Sequence, residues 1–167
     1  MSEPFNTNDT INAARDTLAS MTGLRAAYSI PDDADAGLVD FEHLPVLTVG
    51  MALRQPMRWD RHAAGKGLWF WHLDLFLFLE RGEMRSELQA AHAMKLHEGW
   101  FKKVADKLMK NMSLGVPQTS AGSRGSGGNV YTPEIGHYQW SETQTFWGIG
   151  FIVPVSQYHS QSTSRSE

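Results

Sequence analysis

The chain contains no cysteine, which excludes disulfide staples, thiolate nucleophiles and thiolate metal sites together. It also lacks an excess of positive charge. Fifteen Lys and Arg against 18 Asp and Glu leave a formal net charge of -3, so there is no electrostatic case for a protein that wraps nucleic acid. The longest apolar run, Leu68 to Leu79, is interrupted by His72 and Asp74 and falls short of the roughly 18 to 20 residues that a membrane-spanning helix needs. The first residues, Met1-Ser2-Glu3-Pro4-Phe5-Asn6-Thr7, are polar and acidic where a secretory signal would be basic and then apolar. The expectation is a soluble, non-secreted chain. At 167 residues it fits one domain, large enough to bury a core without staples.

What the chain does have is a strand that is apolar twice over. Read with period two, Leu68 to Leu79 places Trp69, Trp71, Leu73, Leu75, Leu77 and Leu79 on one face, and Leu68, Phe70, His72, Asp74, Phe76 and Phe78 on the other. A strand solvated on one side alternates apolar with polar residues, so this one expects cover on both sides, by a helix on one and by something else on the other. In so short a chain the second cover is expected to be another molecule. That points to an assembly component before a catalyst.

Around this strand the order of elements is legible. A helix over Thr10 to Thr22 carries the stripe Ile11, Ala14, Leu18 and Met21, with Asn8 or Asp9 able to cap it and Gly23 to end it. Leu24 to Ile30 reads as a short strand, and Pro31 to Gly37, with Asp32, Asp33 and Asp35, as a solvated acidic loop that lacks the pattern of a calcium loop. Pro45 opens a strand over Val46 to Arg54. Residues Gln55 to Gly67 then read as an unusually long hairpin loop, rich in basic side chains. Either this loop meets a partner through Arg54, Arg58, Trp59, Arg61 and Lys66, or Trp59 folds back onto the sheet.

A long helix is predicted over Met84 to Met112, with Met94, His97, Phe101, Val104 and Leu108 on one face and Gly99 as a point of bending or close packing. Lys95, Lys102, Lys103, Lys107 and Lys110 fall mostly off that stripe, as a solvated basic face. Ser120 to Gly128 has the composition of a flexible linker and lacks the lysine of a phosphate loop. A strand pair follows, Val130 to Trp140 and Thr143 to Gln157, in which Pro154 suggests an edge position. Residues 1–157 form the predicted domain and 158–167 a polar, flexible tail. The fold class is α/β in the broad sense (α+β): a mixed, mainly antiparallel sheet flanked by two main helices.

Tests for chemistry return little. Among the seven histidines, His92 and His97 are five apart and so fall on different helical faces, unlike the histidines of a zinc-binding helix. Asp40, Glu42 and His43 cluster before Pro45 in an expected exposed loop. His72 and Asp74 share a strand face and could form an acid/base dyad or a satisfied polar pair, with no nucleophile motif beside them. Trp69, Trp71, Trp140 and Trp147 could line a cavity or a core. No catalytic residue, metal site or cofactor is predicted. The enzyme-like alternative is a small-molecule-binding domain with a tryptophan-lined pocket around His72 and Asp74.

The whole pattern resembles the tail terminator proteins of long-tailed bacteriophages and their tail-completion and neck relatives. The likeness is carried by Ile11 to Tyr28, by Leu44-Pro45-Val46-Leu47-Thr48-Val49, by Leu68 to Glu80, and by Tyr138 to Val155 with its lead-in Trp147-Gly148-Ile149-Gly150-Phe151. The resemblance covers nearly the whole chain and is architectural, without a signature motif. It implies a homohexameric ring at the head-proximal end of a virion tail. Such a ring stops tail-tube growth, meets the tail-tube protein and the head connector or neck proteins, and lets DNA pass through its lumen without specific recognition. Such a protein is structural rather than enzymatic and is assembled in the host cytoplasm. The subunit-interface strand would then expose Phe70, His72, Asp74, Phe76 and Phe78, since a head-to-tail cyclic contact pairs two different surfaces of each subunit.

Overall fold

Two long strands with unbroken apolar alternation set the architecture. The computed structural model describes residues 7–63, 66–83, 85–122 and 131–160, the side chains of 61–63, 132, 159 and 160 excepted. The elements are α1 (Thr7–Leu18), β1 (Ala26–Ser29), α2 (Asp32–Asp35), β2 (Val46–Met51), β3 (Arg58–Ala63) and β4 (Lys66–Arg81). After them come α3 (Glu87–His97), α4 (Gly99–Lys110), β5 (Thr119–Ala121), β6 (Thr132–Ser141) and β7 (Gln144–Ser160). Strands β4 and β7 pair antiparallel along almost their full length, from Lys66 opposite Ser160 to Arg81 opposite Phe146. Each is flanked on its outer side by two shorter strands in tandem. Beside β4 run β2 and β3; beside β7 run β6 and β5. Strand β1 adds in parallel to β2, and the result is a seven-stranded α+β sheet.

One face of the sheet holds the main core. Trp71, Leu73, Leu75 and Leu77 of β4 and Ile149, Phe151, Val153 and Val155 of β7 are buried there against Ile11, Ala14 and Leu18 of α1 and Val104 and Leu108 of α4. Each large aliphatic side chain so buried contributes roughly 1.5–3 kcal/mol. The helix expected from Met84 to Met112 is interrupted at Glu98 into α3 and α4. A side chain at Gly99 would touch nothing within 4 Å, so the glycine marks the break and not a close approach to the sheet. Helix α4 buries Trp100, Val104 and Leu108. Helix α3 buries no residue at all, although Ser86 caps it by accepting from the Gln89 amide at 3.1 Å.

Several expectations are corrected. The long loop over residues 55–67 is mostly a hairpin: β3 pairs with the first part of β4, Trp59 opposite Trp69 and Arg61 opposite Gly67. The acidic stretch after Pro31 is helix α2, and Asp33 is buried rather than solvated. Asp33 accepts from the Ser29 amide at 2.7 Å and pairs with Arg15 of α1 at 3.0 Å, while Asn8 and Asn12 donate to Asp32. The acidic charge thus ties the crossover between β1 and β2 to α1.

Pro154 lies in a central strand, not at an edge. Its carbonyl accepts from Gly122, so its ring nitrogen faces the seam between β6, whose pairing with β7 begins at Thr132 opposite Ile152, and β5, which ends at Ala121 opposite Val155. No ladder donor is required of it there. Tyr158, His159 and Ser160, assigned to the tail, continue β7 and pair with Leu68, Gly67 and Lys66. Ser120 and Ala121 of the expected linker belong to β5. Residues 123–128 of that linker and residues 161–167 of the tail lie outside the described residues.

Candidate functional site

The second face of the sheet is only half covered. At one end, the segment that follows α2 lays Phe41 across the strands, with ring centroids 4.6 Å from Phe78, 4.8 Å from Phe146 and 5.1 Å from Trp140. Arg81 locks it by donating to the Phe41 carbonyl at 2.7 Å. A register shift between Phe78 and Glu80 makes this possible. The extra residue lets Leu79 stay in the helix-side core while Arg81 turns to the other face and lies over the Phe146 ring. Phe78 is fully buried in this second cluster. Expected on the subunit interface, it is instead internal packing.

Beyond this cap the face opens into a groove of about 600 Å³. Thr48, Gly50, Asp74, Phe76 and Ile152 form its floor, Ile30 and Pro31 one wall, and the turn Ala52 to Gln55 and Tyr138 the others. The alternation of β4 brings Asp74 and Phe76 here, and the pairings Gly50 opposite Asp74 and Asp74 opposite Ile152 put a glycine and an isoleucine beside the carboxylate. Desolvation by that apolar surround pushes the Asp74 carboxyl above its ordinary pKa. The carboxylate nevertheless reaches solvent through the groove mouth. Arg54 is the cation on the rim and Leu53, 86% exposed, stands beside it.

The remaining predicted residues divide. Arg58 lies on the open face, its guanidinium 4.4 Å from the Phe70 ring centroid and paired with Asp60 at 3.1 Å. Trp59 is on the opposite face, 6.5 Å from Trp69 and directly over Gly67, where a β-carbon would collide with its indole. Trp59 thus folds back onto the sheet while remaining 42% exposed. Lys66 is exposed at the far end of the hairpin. Arg61 pairs through its backbone, and its side chain lies outside the described part. Arg54, Arg58, Trp59 and Lys66 therefore do not converge on one contact surface.

His72 and Asp74 share a face, but Asp74 lines the groove and His72 does not. None of Trp69, Trp71, Trp140 and Trp147 lines it either. Trp71 and Trp147 are core residues on the helix side, Trp69 packs against that core, and Trp140 packs against Phe41. These tryptophans therefore do not line the groove that holds Asp74. Asp40, Glu42 and His43 are exposed, as expected. No group of His, Asp and Glu suited to a metal ion occurs among the described residues. One carboxylate, one rim cation and the Thr48 and Tyr138 side chains stand among mostly apolar walls, a lining of the kind that recognises a ligand or a partner surface.

Sequence reasoning missed Ile30, Leu53, Tyr138 and Ile152 as groove residues, and it missed the exposure of Leu88 and Leu96 on α3, at 68% and 73%. The signal for α3 was present: between Glu87 and Leu96 the apolar residues form no continuous stripe. No protein-family model matches the chain, and no curated protein matches it either.

Proposed function

We propose that this chain is a structural subunit of a long-tailed bacteriophage virion, forming a ring at the head-proximal end of the tail. The ring ends growth of the tail tube and joins the tail to the head connector. The observation that carries this reading is the asymmetry of the sheet: helices α1 and α4 cover the centre of one face, while half of the other, around Phe70, Phe76 and Ile152 with Asp74 among them, is left open. A lone chain gains nothing from an aromatic floor of this kind, whereas a neighbouring subunit that covers it gains the burial energy. The α+β architecture is the one the resemblance implies. A weakly negative chain suits a lumen through which DNA passes without being held.

The role is geometric. One surface of the ring meets the last ring of tube protein, another meets the connector, and no reaction is catalysed. Light scattering of the purified protein, alone and with tube protein, tests it. A hexamer-sized species, or one that forms only with tube protein, is expected. A monomer under all conditions overturns the proposal.

A further inference from the structure

Helix α3 is as unusual as the groove. Its inner side, Ala93, Met94 and His97, faces the sheet, with His97 edge-on to Trp147 at 5.3 Å. Its outer side presents Leu88, Ala91, His92, Lys95 and Leu96, all exposed. Spacings of three and four residues put these on one side of the helix, and Leu88 to Leu96 spans about 12 Å along the axis. A helix this short takes its stability from tertiary packing, yet no residue of α3 is buried by its own chain.

We infer that α3 of one copy seats in the open-face groove of a second copy, with Leu88 and Leu96 against the apolar walls and Lys95 facing Asp74. The inference rests on the ring reading and specifies its subunit contact. Charge complementarity selects the occupant. The groove offers one carboxylate in an apolar floor, bounded by Ile30, Phe76 and Ile152, while its one cation, Arg54, stands out on the rim. The outer side of α3 offers one ammonium between two leucines. A partner with a purely apolar ridge would desolvate Asp74 further without bringing it a counter-charge, which opposes the contact.

The placement of the two surfaces also decides the symmetry. Helix α3 packs on the helix side of the sheet and the groove opens on the opposite side. One copy's helix therefore meets a different surface of the next copy, and the contact repeats head to tail, which gives the proposed ring when its rotation closes.

The absence of cysteine makes the test clean. Lys95→Cys and Asp74→Cys are placed in separate chains, co-expressed, and treated with a short bismaleimide. A covalent dimer is expected from the pair and none from either variant alone, and the double variant should give a ladder that ends at the ring size. In parallel, Lys95→Glu should weaken association about tenfold or more, and Lys95→Glu with Asp74→Lys should restore it. A ring that gives no cross-link from the pair, or that cross-links from one variant alone, overturns the α3-to-groove contact while the ring reading stands. A monomer at every concentration, with and without tube protein, overturns both.

Discussion

The Trp71 indole nitrogen donates to the Gln157 side-chain oxygen at 2.9 Å, and the Gln157 amide nitrogen in turn donates to the Thr10 hydroxyl at 2.7 Å. One buried glutamine thus joins β4, β7 and α1, with Thr119 of β5 also in reach at 3.4 Å. Replacing Gln157 with Leu leaves the Trp71 N–H without its acceptor in the core. The expected cost is about 1–3 kcal/mol, read from the midpoint of urea unfolding with little change in slope.

The Arg15–Asp33 pair predicts an acid limb of stability. Burial alone would raise the Asp33 carboxyl, but the Ser29 amide and the Arg15 guanidinium outweigh it and hold it below its ordinary value. The folded state therefore binds this proton less readily than the unfolded state does. The pair's stabilisation is complete above the unfolded carboxylate pKa and is lost as pH falls through the folded one. Asp33→Asn should destabilise the neutral protein by about 1–3 kcal/mol. It should also flatten the acid side of the stability curve, measured by denaturant unfolding at a series of pH values.

Asp74 has the opposite sign. Its carboxyl is raised by desolvation, so the folded chain holds the proton more tightly than the unfolded one, and stability falls as pH rises through the window above the ordinary carboxylate value. Asp74→Asn should stabilise the isolated chain at neutral pH and remove that part of the pH dependence. The same substitution should weaken the assembled ring. Opposite movements of monomer unfolding midpoint and ring dissociation constant would separate a residue kept for contact from one kept for folding.

Gly148 faces Phe78 across the β4–β7 ladder, and a β-carbon there would overlap the Leu77 carbonyl oxygen. Backbone cannot move aside as a side-chain tip can. Gly148→Ala should cost several kcal/mol, of the order of severe overpacking, and lower the thermal midpoint. Gly136→Ala, directly opposite on β6 with open space around its would-be β-carbon, should change it little.

The parts of the fold that were legible in the sequence are those where one period dominates. The α1 stripe Ile11, Ala14 and Leu18 is buried together with Met21 just past the helix, and the side of β4 that carries Trp71, Leu73, Leu75, Leu77 and Leu79 lies in the core as read, whereas on its other side Phe78 is covered by the chain's own Phe41. What escaped depends on distant partners. Arg58 to Ala63 has no strand-like alternation of apolar residues, and it is a strand because the aromatic start of β4 supplies a ladder for it. Asp33 looks solvated until Arg15, 18 positions earlier, is folded beside it. Pro154 argues for an edge unless the seam between β5 and β6 is known. The groove escaped for the same reason, since Ile30, Asp74, Tyr138 and Ile152 meet only through the strand order.

Trp71 and Gln157 are 86 positions apart, and the strand that carries Gln157 is the neighbour that β4 needs along its entire length. During synthesis the most apolar strand of the chain must therefore wait, unpaired on that side, for the ribosome to deliver β7. At a typical ~5–20 residues per second this delay lasts on the order of several seconds. Nascent chains arrested before β7 should accordingly be the species most prone to capture by chaperones, and expression yield should respond to translation speed downstream of α4.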